Sequence, residues 1–198
     1  MQVVLVDAGG ANLGSMRQAL LRLGVEPVLS ADPAVIIRAG RVILPGVGTA
    51  ANVMRCLSER GLVEVLHALQ APLLGVCVGM QVLFEHSAEG DTGCLGLLPG
   101  RVAALVPAAG ARVPHIGWNR LEPVRASPLT HGLDAGAFAY FVHGYAAPAG
   151  ADCDLACVHN ERFAAVVRRG RVAGAQFHPE RSGAAGARLL RNFIEDGL

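Results

Sequence analysis

Pro72-Leu73-Leu74-Gly75-Val76-Cys77-Val78-Gly79-Met80-Gln81 decides how the chain is read. An apolar run reaches Cys77, and a helical stretch follows at once. Glycines lie two before and two after the cysteine, where a sharp strand-to-helix turn has no room for larger side chains. Such an elbow presents its central side chain at the end of a buried strand. A thiolate there is stabilised by the helix N-terminus, and the N–H of Val78 is free to bind an oxyanion. A cysteine in an apolar run is on its own equally a packed core residue, because free Cys is among the most buried side chains. The glycine frame favours the nucleophile.

Outward from the elbow, strand and helix signals alternate. Val3–Val6, Val25–Leu29, Val42–Leu44 and Pro72–Val76 read as strands. A helix after Asn12 carries Leu13, Met16, Leu20 and Leu23 on one face and stops at Gly24. Asp32-Pro33 opens a short helix, residues 50–70 form a helical stretch broken at Gly61, and Val78–Phe84 reads as helical. This rhythm predicts βαβ units and a parallel sheet covered by helices on both faces. In the second half, Val102–Val106, Ala137–Val142, Leu155–Val158, Ala164–Val167 and Val172–Gln176 read as strands joined by turns, before a closing helix over Gly183–Asp196. That half predicts an antiparallel or mixed portion. The fold class is therefore α/β: a central, mostly parallel but mixed sheet flanked by helices, with an additional antiparallel portion in the second half, and residues 1–198 form one domain.

A thiol nucleophile needs a base. Among seven histidines, His178 stands apart, in Gln176-Phe177-His178-Pro179-Glu180. It follows a predicted strand, so it sits at a strand's carboxyl end, where sites form in open α/β sheets. Pro179 restricts His178 to extended backbone, and Glu180 two residues on is placed to hold the imidazole tautomer. The competing reading is a partly buried histidine beside a surface carboxylate. Gly46 and Gly48 around Val47 free backbone N–H groups for an oxyanion, although Pro-Gly-Val-Gly by itself is also an ordinary tight turn. His143 and His159 read as hydrogen-bonded structural histidines.

Composition removes other classes. Hydrophobic residues make up 52% of the 198 residues and charged residues 17%, which excludes a disordered chain. A net charge of +1 leaves no basic excess for phosphates, so no nucleic-acid partner is expected. All 17 basic residues are Arg. Without lysine there is neither a Schiff-base enzyme nor a Walker-type phosphate loop. The five cysteines contain no Cys-x-x-Cys pair, which disfavours a disulfide framework or a zinc site and fits a reducing cytosol. The amino-terminal stretch has no basic leader pattern. The apolar stretch from Ala71 to Phe84 falls short of the ~20 residues a membrane helix needs. A cytoplasmic location without a membrane partner is expected.

Together, Gly75-Val76-Cys77-Val78-Gly79-Met80-Gln81 and His178-Pro179-Glu180 resemble the two signature segments of the class I (triad) glutamine amidotransferases, in order and separation. Leu44-Pro45-Gly46-Val47-Gly48, Gly96-Leu97-Leu98-Pro99-Gly100, Val113-Pro114-His115-Ile116-Gly117-Trp118-Asn119, Tyr140-Phe141-Val142-His143 and Gln176–Gly183 resemble one branch of that family, the glutaminases of imidazole glycerol phosphate synthases in histidine biosynthesis. The resemblance spans essentially the whole chain. It implies hydrolysis of L-glutamine, without cofactor or metal, and delivery of ammonia to a (β/α)8-barrel cyclase subunit in a heterodimer. It further implies Cys77 as nucleophile, His178 as proton shuttle, Glu180 as its orienting carboxylate, and N–H groups at Val47 and Val78 for the oxyanion. Gly48, Gln81, Glu89, Gly144 and Tyr145 would hold glutamine; Asn12, Trp118, Asn119 and Arg181 would meet the partner. Trp118 is on composition alone equally a core aromatic.

This chain departs from the family pattern in places. Ala8 replaces a usual Tyr and Ala11 a usual Gly in the first motif, Gly144 replaces Ser or Thr, and Arg181 replaces Lys, exchanging a point charge for a planar fork. Rival readings are a glutaminase of another ammonia-channelling synthase, such as the pyridoxal phosphate or anthranilate synthase glutaminases, a stand-alone cysteine hydrolase, and a relic without activity.

Overall fold

The computed structural model describes residues 2–9, 13–195 and 198. The first half alternates as expected: β1 (Val3–Val6), α1 (Leu13–Arg22), β2 (Val28–Ser30), α2 (Pro33–Ile36), β3 (Arg41–Gly46), α3 (Ala50–Glu59), α4 (Leu62–Ala68), β4 (Leu73–Cys77) and α5 (Val78–Gln81). A region of short strands follows, with β5 (His86–Ser87), β6 (Thr92–Gly93), β7 (Arg101–Ala104), β8 (His115–Arg120), β9 (Glu122–Pro123), β10 (Phe138–His143) and β11 (Tyr145–Ala146). Longer strands β12 (Cys153–His159) and β13 (Glu161–Arg169) lead to β14 (Val172–Ala175) and α6 (Gly183–Glu195).

Local chemistry sets several boundaries. The Asp32 carboxylate accepts from the Ala34 N–H at 2.8 Å, and Pro33 occupies the first turn of α2. Thr49 caps α3 through its hydroxyl. Gly61, at φ +64°, separates α3 from α4 in a conformation that costs a glycine little. Two elements are shorter than the sequence predicts by more than one residue. The Val25 N–H closes the end of α1 on Leu20 O, so β2 begins only at Val28. The helix after Cys77 is a single turn. Leu83 and Phe84 make tighter i→i+3 bonds, and Glu85 then pairs with Gly100 and Cys94. The cap expected at Asn12 and the last residue of the helix expected to reach Asp196 lie outside the described residues.

Eight strands form the central sheet in the order β2-β1-β3-β4-β14-β13-β12-β9. The five from β2 to β14 are parallel, and the pairings from β14 onward are antiparallel. The antiparallel portion is thus partly an extension of the main sheet. The remainder is a β10-β8 pair and a small β11-β7-β5-β6 sheet. α1 and α6 meet the turn at Pro179–Arg181, while α2, α3 and α4 pack among themselves and with α5. β1, β3 and β4 are buried almost throughout, which is why they read as continuous apolar runs. Phe141, Phe163, Phe177 and Phe193 are the largest fully buried side chains. The carboxyl ends of β3, β4 and β14 share one sheet edge, and there the candidate residues converge.

Candidate active site

Cys77 ends β4 and begins α5 with φ 56° and ψ −115°. Positive φ is uncommon for a residue with a side chain and marks stored strain. The flanking glycines make the turn sterically feasible. A Cβ on Gly75 would lie 2.4 Å from Gly79 O, and one on Gly79 only 1.9 Å from Leu44 O. A Cβ on Gly46 would lie 2.3 Å from Gly79 N, so β3 presses against the elbow. The register pairs Gly46 with Cys77. The Pro45-Gly46-Val47-Gly48 loop therefore leaves the sheet directly beside Cys77, and Val78 opens α5 immediately after it.

His178 follows β14 and starts the turn Pro179–Arg181. Its backbone N–H donates to Tyr140 O at 2.9 Å, and Ser182 Oγ donates to His178 O at 2.7 Å. Its Nδ1 lies 2.9 Å from Glu180 Oε1, and the Glu180 side chain is fully buried. Burial opposes a charge on the His178 ring, but hydrogen bonds to Cys77 and Glu180, with their negative charges, outweigh it and push its pKa up to about 10. The structure thus brings Cys77, His178 and Glu180 into one connected set. Sulfur and carboxylate are both hydrogen-bonded to one imidazole, which can exchange a proton with the thiol while the carboxylate orients it.

The residues expected to hold glutamine make differing contacts. Glu89 accepts from the Ala50 N–H at 2.8 Å, at the start of α3. Gln81 is buried, and its amide donates to Tyr145 O at 2.8 Å and Gln176 Oε1 at 3.1 Å. Those bonds occupy the Gln81 amide donors, so in this structure Gln81 positions backbone. Gly48 is exposed at φ +84°. Gly144 has room for a side chain, since a Cβ would meet only Val113 Cγ1 at 3.8 Å. Sequence reasoning assigned no role to Gln176, whose Nε2 lies 4.0 Å from Cys77 Sγ, or to Val142, whose carbonyl lies 3.7 Å from it. A polar residue in the buried run Ala173–Phe177 was the available signal for Gln176. Among the described residues no group of three or more His, Cys, Asp or Glu is arranged to hold a metal ion.

Trp118 is 56% exposed on β8 and meets Tyr140 edge-on, so the core reading of this residue is corrected. It also borders a groove of about 460 Å³ with Phe138, Ser182, Gly183 and Arg188. Asn119 is half-buried and Arg181 exposed. Asn12 and Ala11 lie outside the described residues, while Ala8 is buried.

The glutamine amidotransferase class-I family model matches residues 4–196. The chain belongs to the class I glutamine amidotransferases. An imidazole glycerol phosphate synthase subunit HisH of Xylella fastidiosa (strain Temecula1) is 60% identical over 98% of this chain and 97% of its own length. The corresponding subunit of Xanthomonas euvesicatoria pv. vesicatoria is 61% identical over 98% and 96%. Among solved structures, a glutamine amidotransferase superposes with a TM-score of 0.75 at 22% identity, covering 98% of both chains. PurLQS from Thermotoga maritima superposes with a TM-score of 0.73 at 20% identity, over 98% of both. These two show the shared amidotransferase fold. Among the described residues no helix is long and apolar enough to cross a membrane.

Proposed function

We propose that this amidotransferase is the glutaminase subunit of an imidazole glycerol phosphate synthase. Full-length identity of about 60% to HisH subunits supports the assignment, and the observation that carries the chemistry is the link from Cys77 through His178 to buried Glu180. The Cys77 sulfur attacks the carboxamide carbon of glutamine while its proton resides on His178. Charge develops on the carboxamide oxygen, where the N–H of Val78 and those around Val47 oppose it. His178 then gives its proton to the departing nitrogen, ammonia leaves, and a thioester remains. Water attacks the thioester, His178 takes its proton and returns it to sulfur, and glutamate departs. Glu180 keeps the ring oriented and balances its charge throughout.

Glutamine is held along the rim made by Gly48, Glu89, Gly144 and Tyr145, with Gln81 supporting Tyr145 from below. Ammonia is consumed by a cyclase partner, with Asn12, Trp118, Asn119 and Arg181 at the contact. In support, Ile116, Trp118, Tyr140, Val142 and Phe138 share one face of the β8–β10 pair; Ile116, Trp118, Phe138 and Val142 are exposed. Exposed apolar residues gathered on one face mark a surface that another molecule covers. The chain is read as one catalytic domain working in the cytoplasm, with no nucleic acid, cofactor or metal involved.

The test is glutamate release from glutamine by the protein alone and with the cyclase subunit and its nucleotide substrate. Strong release only in the full mixture, lost in Cys77→Ala, is expected. Release insensitive to the cyclase would keep the triad and discard this synthase. Absence of release in every mixture would overturn the reading.

A further inference from the structure

Two buried histidines outside the triad form a hydrogen-bond chain whose direction is set at both ends. His115 on β8 and His143 on β10 face one another across the strand pair, with His115 Nδ1 3.1 Å from His143 Nε2. At one end, His143 Nδ1 lies 2.8 Å from Tyr145 O, which only accepts. At the other, Asn119 Nδ2 lies 3.3 Å from His115 Nε2. The Asn119 amide cannot be turned over without loss: its nitrogen donates to Val158 O at 2.9 Å and its oxygen accepts from the Arg120 N–H at 2.7 Å. Asn119 must therefore donate to His115 Nε2, so His115 carries its proton on Nδ1 and donates to His143 Nε2. His143 then carries its proton on Nδ1 and donates to Tyr145 O. Both ends demand the same tautomers.

The arrangement exists only while both rings are neutral, because an added proton on either Nε2 would point at another donor. The surroundings keep them neutral. Burial is the main cause that pulls His115 down to about 4 and His143 to about 3; the neighbouring His159 lowers both, and His115 and His178 lower His143, against a smaller opposing bond to Tyr145. His159 stacks on His115 at 4.0 Å and Phe141 stacks on it at 5.0 Å. The chain ends beside the nucleophile. Tyr145 O also receives Gln81, Gln81 contacts Gln176, and the Val142 carbonyl one residue before His143 faces Cys77 Sγ.

We propose that His115 and His143 are positioning residues, holding the Gly144–Tyr145 backbone in place for glutamine through this one-way chain from Asn119. The proposal rests on the reading that glutamine is held at that backbone. A buried hydrogen bond left half-made should change the property it supports by about tenfold, or ~1.4 kcal/mol.

Nitrogen-15 NMR of the wild-type protein reads the tautomers directly, and both rings should carry hydrogen on Nδ1 at neutral pH. An Nε2–H tautomer on either ring would overturn the proposal whatever the variants do. In the complex with cyclase and its nucleotide, His115→Phe keeps the stacked ring and removes the donor. Its KM for glutamine should rise about tenfold while kcat stays within about threefold. His115→Asn returns an N–H near the lost Nδ1 and should recover most of the KM. Alkylation of Cys77 by iodoacetamide, followed on its peptide by mass spectrometry, should be unchanged in both variants. A folded His115→Phe protein with wild-type KM, or one whose Cys77 alkylation falls in parallel, would refute the positioning role. A wild-type complex that releases no glutamate would overturn the glutamine reading and the proposal's substrate with it, while the tautomer result would stand apart.

Discussion

Replacing Gly79 by alanine tests whether contact between the elbow and β3 sets the catalytic geometry. The new Cβ would stand 1.9 Å from Leu44 O, 2.9 Å from Leu44 C and 3.2 Å from Gly46 N. All three are backbone atoms of a central strand, so no side chain can swing aside. Reaching an ordinary contact of 3.4 Å requires a separation of about 1.5 Å between β3 and the first turn of α5. That movement separates the Val47 loop from Cys77 and the Val78 N–H. Overpacking of this kind costs about 1–3 kcal/mol, with rigid backbone favouring the upper part. At ~2–4 °C per kcal/mol for a domain of this size, Tm should fall by roughly 6–12 °C. The kinetic effect should be larger, because misplacing reacting groups by ~1 Å costs about 100-fold. Calorimetry and glutamate release in the complex with cyclase measure the two effects. Gly93→Ala is the control, since a Cβ there meets nothing within 4 Å. A Gly79→Ala protein with wild-type Tm and kcat would show that the steric contact does not govern the site.

Three further outcomes are expected. The raised pKa of His178, about 10 against an ordinary 6.5, contributes stability present in full below pH 6.5 and lost as pH rises through about 10. Tm between pH 6 and pH 10 should therefore decline more steeply in wild type than in Glu180→Gln, and parallel curves would refute the coupling. Gly144→Ser restores the residue usual in the family at a position with room for its Cβ. Its Tm should stay within ~2 °C of wild type, a difference below about 1 kcal/mol, whereas a larger loss would place an unrecognised neighbour there. Trp118→Ala removes an exposed aromatic of the kind that anchors interfaces, so cyclase affinity by calorimetric titration should fall at least about 30-fold, or ~2 kcal/mol. A smaller loss is expected for Arg181→Ala, and unchanged affinity in both would remove this face from the partner contact.

Much of the architecture could be read from local signals. Continuous apolar runs marked β1, β3 and β4 because helices cover both their faces. Gly61 marked the break between α3 and α4, and Asp32-Pro33 the start of α2. The weaker readings came where the local signal is thin. β5, β6, β9 and β11 have two residues each, too few to show a period. β8 alternates exposed residues with buried His115 and half-buried Gly117 and Asn119, and its partner β10 begins only after an intervening turn.

By itself the sequence singled out Cys77 as the candidate nucleophile, because a strand, a tight turn and a helix within ten residues impose a steric demand that only small flanking residues meet. It also singled out His178 and Glu180 as candidate partners, and their contact follows from an equally local spacing around Pro179. Tertiary structure alone decided what lies against them. Leu44 O against Gly79, the Tyr140 carbonyl holding His178, and Gln176 beside Cys77 join residues 35 to 99 positions apart. It also turned two separately ordinary histidines into one directional chain and placed Trp118 outside the core. Contacts between distant segments depend on how strands register and layers pack, and no window of neighbouring residues carries that information.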